Sequence, residues 1–253
     1  MANKIILMAN DKPGALVSDY LINSGDKIVR LYLHDENARK CSDEIIRNSS
    51  CSEIYYAKDL KEENHVKTIK ELNADFIITV YWAHLLKPSI FKAVKDTVNF
   101  HPAFLPINRG WYPHVHSIID GSELGVTLHR IDEGADTGPI WAQKKIELLP
   151  YDTAKTVYDR LQFEIVELFK KKWDKIKSNK LKPFKQVNSS AVYHKKNELE
   201  KLDQLNLDEK IRVKDLINLL RARSFGDSGF AFYNQNGKKV FLNLRLSDSI
   251  HFN

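Results

Sequence analysis

The stretch DFIITVYWAHLLKPSIFKAVKDTVNFH, from Asp75 to His101, decides how the rest of the chain is read. Its first eight residues, Asp75–Trp82, form a short and almost unbroken apolar run. Such a run reads as a strand buried on both faces. PSIFKAV follows with Pro88 placed to start a short helix. TVNFH, 97–101, then reads as a second strand. Strand, helix and strand in this order point to parallel strands joined by a helical crossover.

Working outward from this unit, the same alternation recurs upstream. KIILMA (4–9), IVRLYLH (28–34) and EIYYA (53–57) read as strands. PGALVSDYLINSG, with Pro13 near its start, and LKEENHVKTIKELN read as the helices between them. The expected class is therefore α/β: a Rossmann-like, mostly parallel sheet with helices on both faces. Downstream the pattern changes. GVTLHRID (125–132) and PIWAQKKIEL (139–148) read as strands joined by the turn-rich EGADTG. A long helix is expected from Asp152, as N-cap, to about Lys177, with Val157, Leu161, Ile165 and Leu168 on its buried face. Residues 180–202 are polar and read as a linker. A helix, VKDLINLLRARSF, and a hairpin turning at Asn236–Gly237 complete the chain. This gives a catalytic domain at 1–180 and a small region of linker, helix and β-hairpin at 181–253. Phe230, Phe232 and Tyr233 are read as packing the hairpin or a dimer contact.

The 253 residues carry 43% apolar side chains, enough for a sizeable core, and a net charge of +6. Much of the excess charge is lysine in runs such as FKKKWDKIKSNKLK, which read as solvated helix ends. The balance suits a phosphorylated substrate and does not itself argue for nucleic acid. No apolar run approaches the ~20 residues of a membrane span, and the N-terminus is too short in apolar residues for a secretory signal. Cys41 and Cys51 form no metal pattern. The reading is a reduced, cytoplasmic enzyme with no membrane or nucleic-acid partner. No GxGxxG follows a strand, and NGKKV lacks the Walker spacing, so neither a dinucleotide nor a P-loop is expected. His114 and His116 lie in a stretch that looks helical, where i and i+2 diverge. No metal is expected there: His114 is placed near a ligand or helix start, and His116 partly in solvent.

Asn99 and His101 are the unusual pair. On an extended segment, i and i+2 point to the same face. An amide donor and an imidazole thus converge where the strand ends, which is where ligands bind in open α/β sheets. That is the arrangement an oxyanion needs. Asp136, in the DEGADTG turn, is the natural carboxylate to orient the imidazole. The same residues also read as a strand-end cap and a turn closed on its own backbone. No Ser or Cys lies near the pair in sequence, so the chemistry suggested is direct attack by an external nucleophile on a bound carbonyl.

ITVYWAHLLKP, NFHPAFLP, RGWYPHVHSIIDG and GVTLHRIDEGADTGPI, in this order, resemble the formyltransferases that use 10-formyltetrahydrofolate. The resemblance covers about residues 75–150. It departs from the family at PAFLP, where GSLLP is usual. The resemblance implies that Asn99, His101 and Asp136 are the catalytic set. It implies that Tyr81, Trp82, Leu85 and Leu86, with Asp132 and Asp136 of the turn, meet the pterin of the donor. NRGWYPH is most similar to the sugar N-formyltransferases. It assigns Asn108, Arg109, Trp111 and Tyr112 to the nucleotide sugar, best read as dTDP-4-amino-4,6-dideoxyglucose for surface polysaccharide synthesis. A homodimer is implied as well. Methionyl-tRNA or another small amine as acceptor, and hydrolysis of the donor, stay open. The tail looks too short for a tRNA-binding barrel, and the start of the chain leaves no room for a hydrolase's regulatory domain.

Overall fold

Strand β1 (Lys4–Ala9) leads into α1 (Asp11–Asn23), β2 (Lys27–Leu33), α2 (Ser42–Ser49) and β3 (Ile54–Tyr56). After a 3₁₀ turn come α3 (Glu63–Glu71), β4 (Phe76–Val80), α4 (Pro88–Phe91) and β5 (Asp96–His101). In the computed structural model, which describes residues 2–187 and 191–249, β1 to β5 are mutually parallel wherever they pair. A short β6 (Arg109–Gly110) and α5 (Pro113–Asp120) intervene before β7 (Leu124–His129) and β8 (Ile140–Ile146). β7 runs antiparallel to β5, and the seven-stranded sheet has the order β3-β2-β1-β4-β5-β7-β8. The alternating apolar runs thus fold as the α/β sheet expected.

The pleat sorts side chains onto two faces. Ile6, Met8, Tyr32 and Ile77 pack with Ile69, Ile90 and Phe91 of α3 and α4. On the other face, Phe76 and Phe100 meet Trp173 and Phe169 of the long helix α6 (Ala154–Lys177), each pair with ring centroids 5.0 Å apart. Trp173 and Phe169 are wholly buried. Burial of each such ring contributes about 1.5–3 kcal/mol. The Trp173 indole N–H donates to Asp26 at 2.6 Å, so its one polar atom is satisfied.

Two expected boundaries move. β4 stops at Val80 because Tyr81 has a left-handed backbone, φ +54°; Tyr81 and Trp82 lie beyond the strand, not inside it. Asp152 is not the residue before the long helix, which begins at Ala154. Its carboxylate instead accepts the Leu149 N–H at 2.7 Å and the Thr156 hydroxyl at 2.9 Å, closing the turn ahead of the helix.

The chain forms two compact units. The first holds the residues up to His101, Thr127–Lys144 and Gln162–Gln186; the second holds Pro102–Val126, Lys145–Leu161 and the chain from Val187 onward. In the second, α5 packs on α8 (Val213–Ala222), reached through β9 (Tyr193–His194) and α7 (Glu200–Asp203). The Arg221 guanidinium donates to the carbonyls of Asp152 and Leu149. Short strands β10 (Ser224–Phe225) and β11 (Ser228–Gly229) pair, and β12 (Phe232–Gln235) and β13 (Lys238–Phe241) form a hairpin. Asn236 and Gly237 both have positive φ, as a two-residue hairpin turn requires. Phe232 packs on Phe241 across that hairpin, and Phe230 lies under the Arg223 guanidinium.

The segment read as a linker is tied down where it is described. Phe184 exchanges backbone hydrogen bonds with Ile140, and β9 pairs in parallel with β6. Polar composition hid these contacts because they use the backbone rather than an apolar side-chain pattern. Residues 188–190 of that reading lie outside the described residues. Among the described residues, no helix is long and apolar enough to cross a membrane.

Candidate active site

Three strands bring a polar row together on one face of the sheet. The register places Thr79 of β4 beside Asn99 of β5, and Asn99 beside His129 of β7. The Thr79 hydroxyl donates to Asn99 Oδ1 at 2.5 Å, and Asn99 Nδ2 lies 2.8 Å from His129 Nε2. His129 Nδ1 faces the Arg130 carbonyl at 2.6 Å, so the proton sits on Nδ1 and Nε2 accepts from the amide. The Asn99 amide therefore has one orientation. Its second N–H points towards Asp136 Oδ1 at 3.4 Å, too long to be a strong bond, and is available to a ligand oxygen.

His101 stands two residues on, in register with Thr127, and shares the face of Asn99. Its Nδ1 lies 3.4 Å from Asp136 Oδ2, and both side chains are shielded, at 6% and 17% exposure. Asp136 is delivered by a turn with a left-handed residue at its tip, Asp136 itself having φ +56°. Asp132 builds that turn: its Oδ1 accepts the Thr137 hydroxyl at 2.6 Å and the Gly134 N–H at 3.2 Å. Gly138 is required, because a Cβ there would lie 1.9 Å from the Arg130 carbonyl oxygen. The Gln186 amide donates to the carbonyls of Asp136 at 2.8 Å and Gly138 at 2.7 Å. Asn99, His101 and Asp136 are thus gathered around one point, while the Asp132 carboxylate serves the turn.

Beyond β4, Leu86 joins the core with Ile90 and Phe91, and Trp82 packs against that cluster. Leu85 turns outward at 76% exposure. His34, after β2, meets the Trp82 ring edge-on at 4.7 Å, with His84 beside both. The Trp82 indole N–H is buried and finds no acceptor among the described residues. An aromatic wall with an unused donor fits the edge of a flat, acceptor-rich heterocycle.

In the second unit, Asn108 is 1% exposed. Its amide donates to Ser117 and Ser122, each at 2.9 Å, and its oxygen faces His194 Nε2 at 3.0 Å. Arg109 is also buried, whereas Trp111 and Tyr112 are half-exposed. Lys196 Nζ sits 5.0 Å over the Trp111 ring. The expectation that His116 is partly solvated is corrected: it is buried, stacked on His194 with ring centroids 3.4 Å apart. The adjacent β9 segment, absent from any reading of α5 alone, covers it.

Residues 4–172 match the formyl transferase model, and residues 198–248 match the N-formyltransferase dimerization C-terminal domain. The chain belongs to the formyl transferase family. It is similar to the dTDP-4-amino-4,6-dideoxyglucose formyltransferase of Mycobacterium tuberculosis, with 34% identity over 173 residues, 68% of this chain and 73% of that one. A 4-N formyltransferase from Francisella tularensis superposes with a TM-score of 0.84 at 26% identity, covering 98% of this chain and 99% of its own. The formyltransferase PseJ from Anoxybacillus kamchatkensis, in complex with UDP-4,6-dideoxy-4-formamido-L-AltNAc and tetrahydrofolate, superposes with a TM-score of 0.59 at 28% identity. That match covers 78% of this chain and 88% of the other.

This formyltransferase keeps three buried histidines neutral. Burial, reinforced by His84, lowers the His34 pKa from 6.5 to about 4. Burial, reinforced by His116, lowers that of His114 to about 3, and burial, reinforced by His194, lowers that of His116 to about 4. The native protein therefore binds fewer protons than the unfolded chain below pH 6.5, and stability rises with pH across that window. Urea midpoints are expected to fall steadily as pH drops from 6.5 towards 4. A flat midpoint over that range would show that these rings are protonated in the native state.

Proposed function

We propose that this formyltransferase moves the formyl group of 10-formyltetrahydrofolate to the primary amine of a nucleotide-linked amino sugar, best matched by dTDP-4-amino-4,6-dideoxyglucose. The observation that carries the chemistry is the convergence of Asn99, His101 and Asp136 at the end of β5. The acceptor assignment is supported by the mycobacterial relative.

In this reading the amine lone pair attacks the formyl carbon, and the carbonyl electrons move onto oxygen. The Asn99 N–H not used by His129 and the Nε2–H of His101, protonated on both nitrogens with Nδ1–H towards Asp136, hold that oxyanion. Asp136 orients His101 and takes the amine proton, directly or through water. Collapse re-forms the carbonyl and breaks the bond to the folate nitrogen, which leaves with a proton. Tyr81, Trp82 and Leu86 supply the apolar wall for the pterin; Leu85, facing outward, lies apart from it. Arg109 binds the diphosphate, and Trp111 and Tyr112 the base or sugar. Asn108 acts behind them by holding the loop. The match of residues 198–248 and the exposed Val240 and Phe241 support a homodimer through the C-terminal region.

The test is mass spectrometry of a panel of dTDP- and UDP-linked amino sugars incubated with 10-formyltetrahydrofolate, with light scattering of the same sample. One acceptor should gain a single formyl group, and the protein should run as a dimer. Donor hydrolysis that no acceptor accelerates, or formylation of methionyl-tRNA instead, would overturn the assignment.

A further inference from the structure

The acceptor loop turns through three left-handed residues, one of them a tyrosine that would not choose that conformation. Asn108, Gly110 and Tyr112 all have left-handed backbones, with φ of +56°, +88° and +54°. Gly and Asn adopt this region readily, but at Tyr112 such geometry persists only where neighbours over-determine it. The neighbours here belong to β9 and the turn after it, beyond the segment that carries the transferase match. The Arg109 N–H donates to the Val192 carbonyl at 2.8 Å, and the Trp111 N–H to the His194 carbonyl at 3.1 Å. A Cβ on Gly110 would lie 2.4 Å from that same His194 carbonyl oxygen, so the two segments are in direct apposition.

The His194 side chain completes the junction. Nε2 lies 3.0 Å from Asn108 Oδ1, and Nδ1 lies 2.9 Å from Glu198 Oε2. The Asn108 amide nitrogen is already used by Ser117 and Ser122, so its oxygen is the atom turned to His194. Glu198 is fixed in turn by the Lys195 N–H at 2.9 Å. The His116 ring lies flat on His194, with the planes 6° apart. His116, His194 and Glu198 have their ligand atoms close together. The two rings lie in parallel planes, however, and both His194 nitrogens are taken by Asn108 and Glu198, so the arrangement reads as a clamp rather than a metal centre.

We propose that His194 is a positioning residue for acceptor recognition: gripped by Glu198 and stacked on His116, it holds Asn108 and so keeps Arg109 and Trp111 in place for the nucleoside diphosphate of the acceptor. The inference rests on the assignment of Arg109, Trp111 and Tyr112 to the acceptor. It adds that a residue outside the catalytic sheet sets affinity for that substrate and not for the folate.

Calorimetric titration with dTDP, UDP and folinic acid tests it on the wild type, His194→Ala and His194→Gln. In the folded His194→Ala protein, the nucleotide that the wild type prefers should bind about tenfold more weakly, the size of effect one lost hydrogen bond carries. Folinic acid affinity should be unchanged. His194→Gln, whose amide still reaches Asn108, should recover part of the loss, and the acceptor KM should rise with kcat retained. If circular dichroism shows His194→Ala unfolded, Glu198→Gln carries the comparison, with a smaller nucleotide-specific loss expected. Unchanged nucleotide affinity in the folded variants would overturn the clamp alone. Equal losses for nucleotide and folinic acid would also overturn it. A wild type that binds neither nucleotide would overturn the acceptor assignment, and the clamp with it.

Discussion

Asn99→Ala and His101→Ala are each expected to lower kcat by roughly 10²–10³, the cost of removing one preorganised donor from an oxyanion site. The argument runs from the register of the sheet. β5 offers its residues alternately to two faces, and Phe100 spends the other face on Phe169. Asn99 and His101 are left together at the strand end, next to a carboxylate on a rigid turn. Neither side chain belongs to the apolar core, so both variants should fold. Asn99→Ala should still cost about 1–3 kcal/mol of stability, because it strands the Thr79 hydroxyl and His129 Nε2 as buried, unpaired groups. Combining the two changes should cost less than the product of the single losses, since both donors serve one oxygen. Single-turnover rates with saturating donor and acceptor, read alongside thermal melts, decide the matter. A folded variant with a near wild-type rate would remove the oxyanion assignment for that residue.

The parallel half of the sheet was legible because buried parallel strands are short, nearly continuous apolar runs separated by helical periodicity. KIILMA and DFIITVYW are such runs. Asn99 and His101 stood out for the complementary reason, as two polar residues at i and i+2 where apolar residues belong. Their support did not stand out. Thr79 and His129 lie 20 and 30 residues from Asn99 in sequence, and only the strand register makes the three neighbours. A polar Thr inside FIITV was the available signal for one, and a His closing the run GVTLH for the other. His34 escaped for the same reason, since its place beside Trp82 depends on β1 lying between β2 and β4. The β6–β9 junction was the least legible part. Strands of two residues leave no periodicity, and their pairing spans about 84 positions of chain, from Arg109 to Tyr193.

Replacing Asp136 by Asn isolates the charge of the carboxylate from its place in the turn. Asp136 occupies a left-handed conformation, φ +56°, which Asn tolerates as readily as Asp. The turn itself is built by the Asp132 carboxylate, by Gly138 and by the Gln186 amide on the Asp136 carbonyl, none of which needs a charged group at 136. Asp136→Asn should therefore melt close to the wild type. Its kcat should nonetheless fall by roughly 10²–10⁴, the range attributed to a general base. An amide cannot take the amine proton, and one that turns its NH₂ towards His101 opposes the N–H that the carboxylate favours. Asp136→Ala should lose comparable activity and in addition about 1 kcal/mol of stability, the cost of a left-handed residue without a polar side chain. Acceptor and donor KM should change little in Asp136→Asn, because the carboxylate acts on protons and not on binding surface. Full activity in Asp136→Asn would leave the amine proton to solvent and reduce Asp136 to a turn residue. A large rise in KM with kcat intact would make it a substrate contact instead.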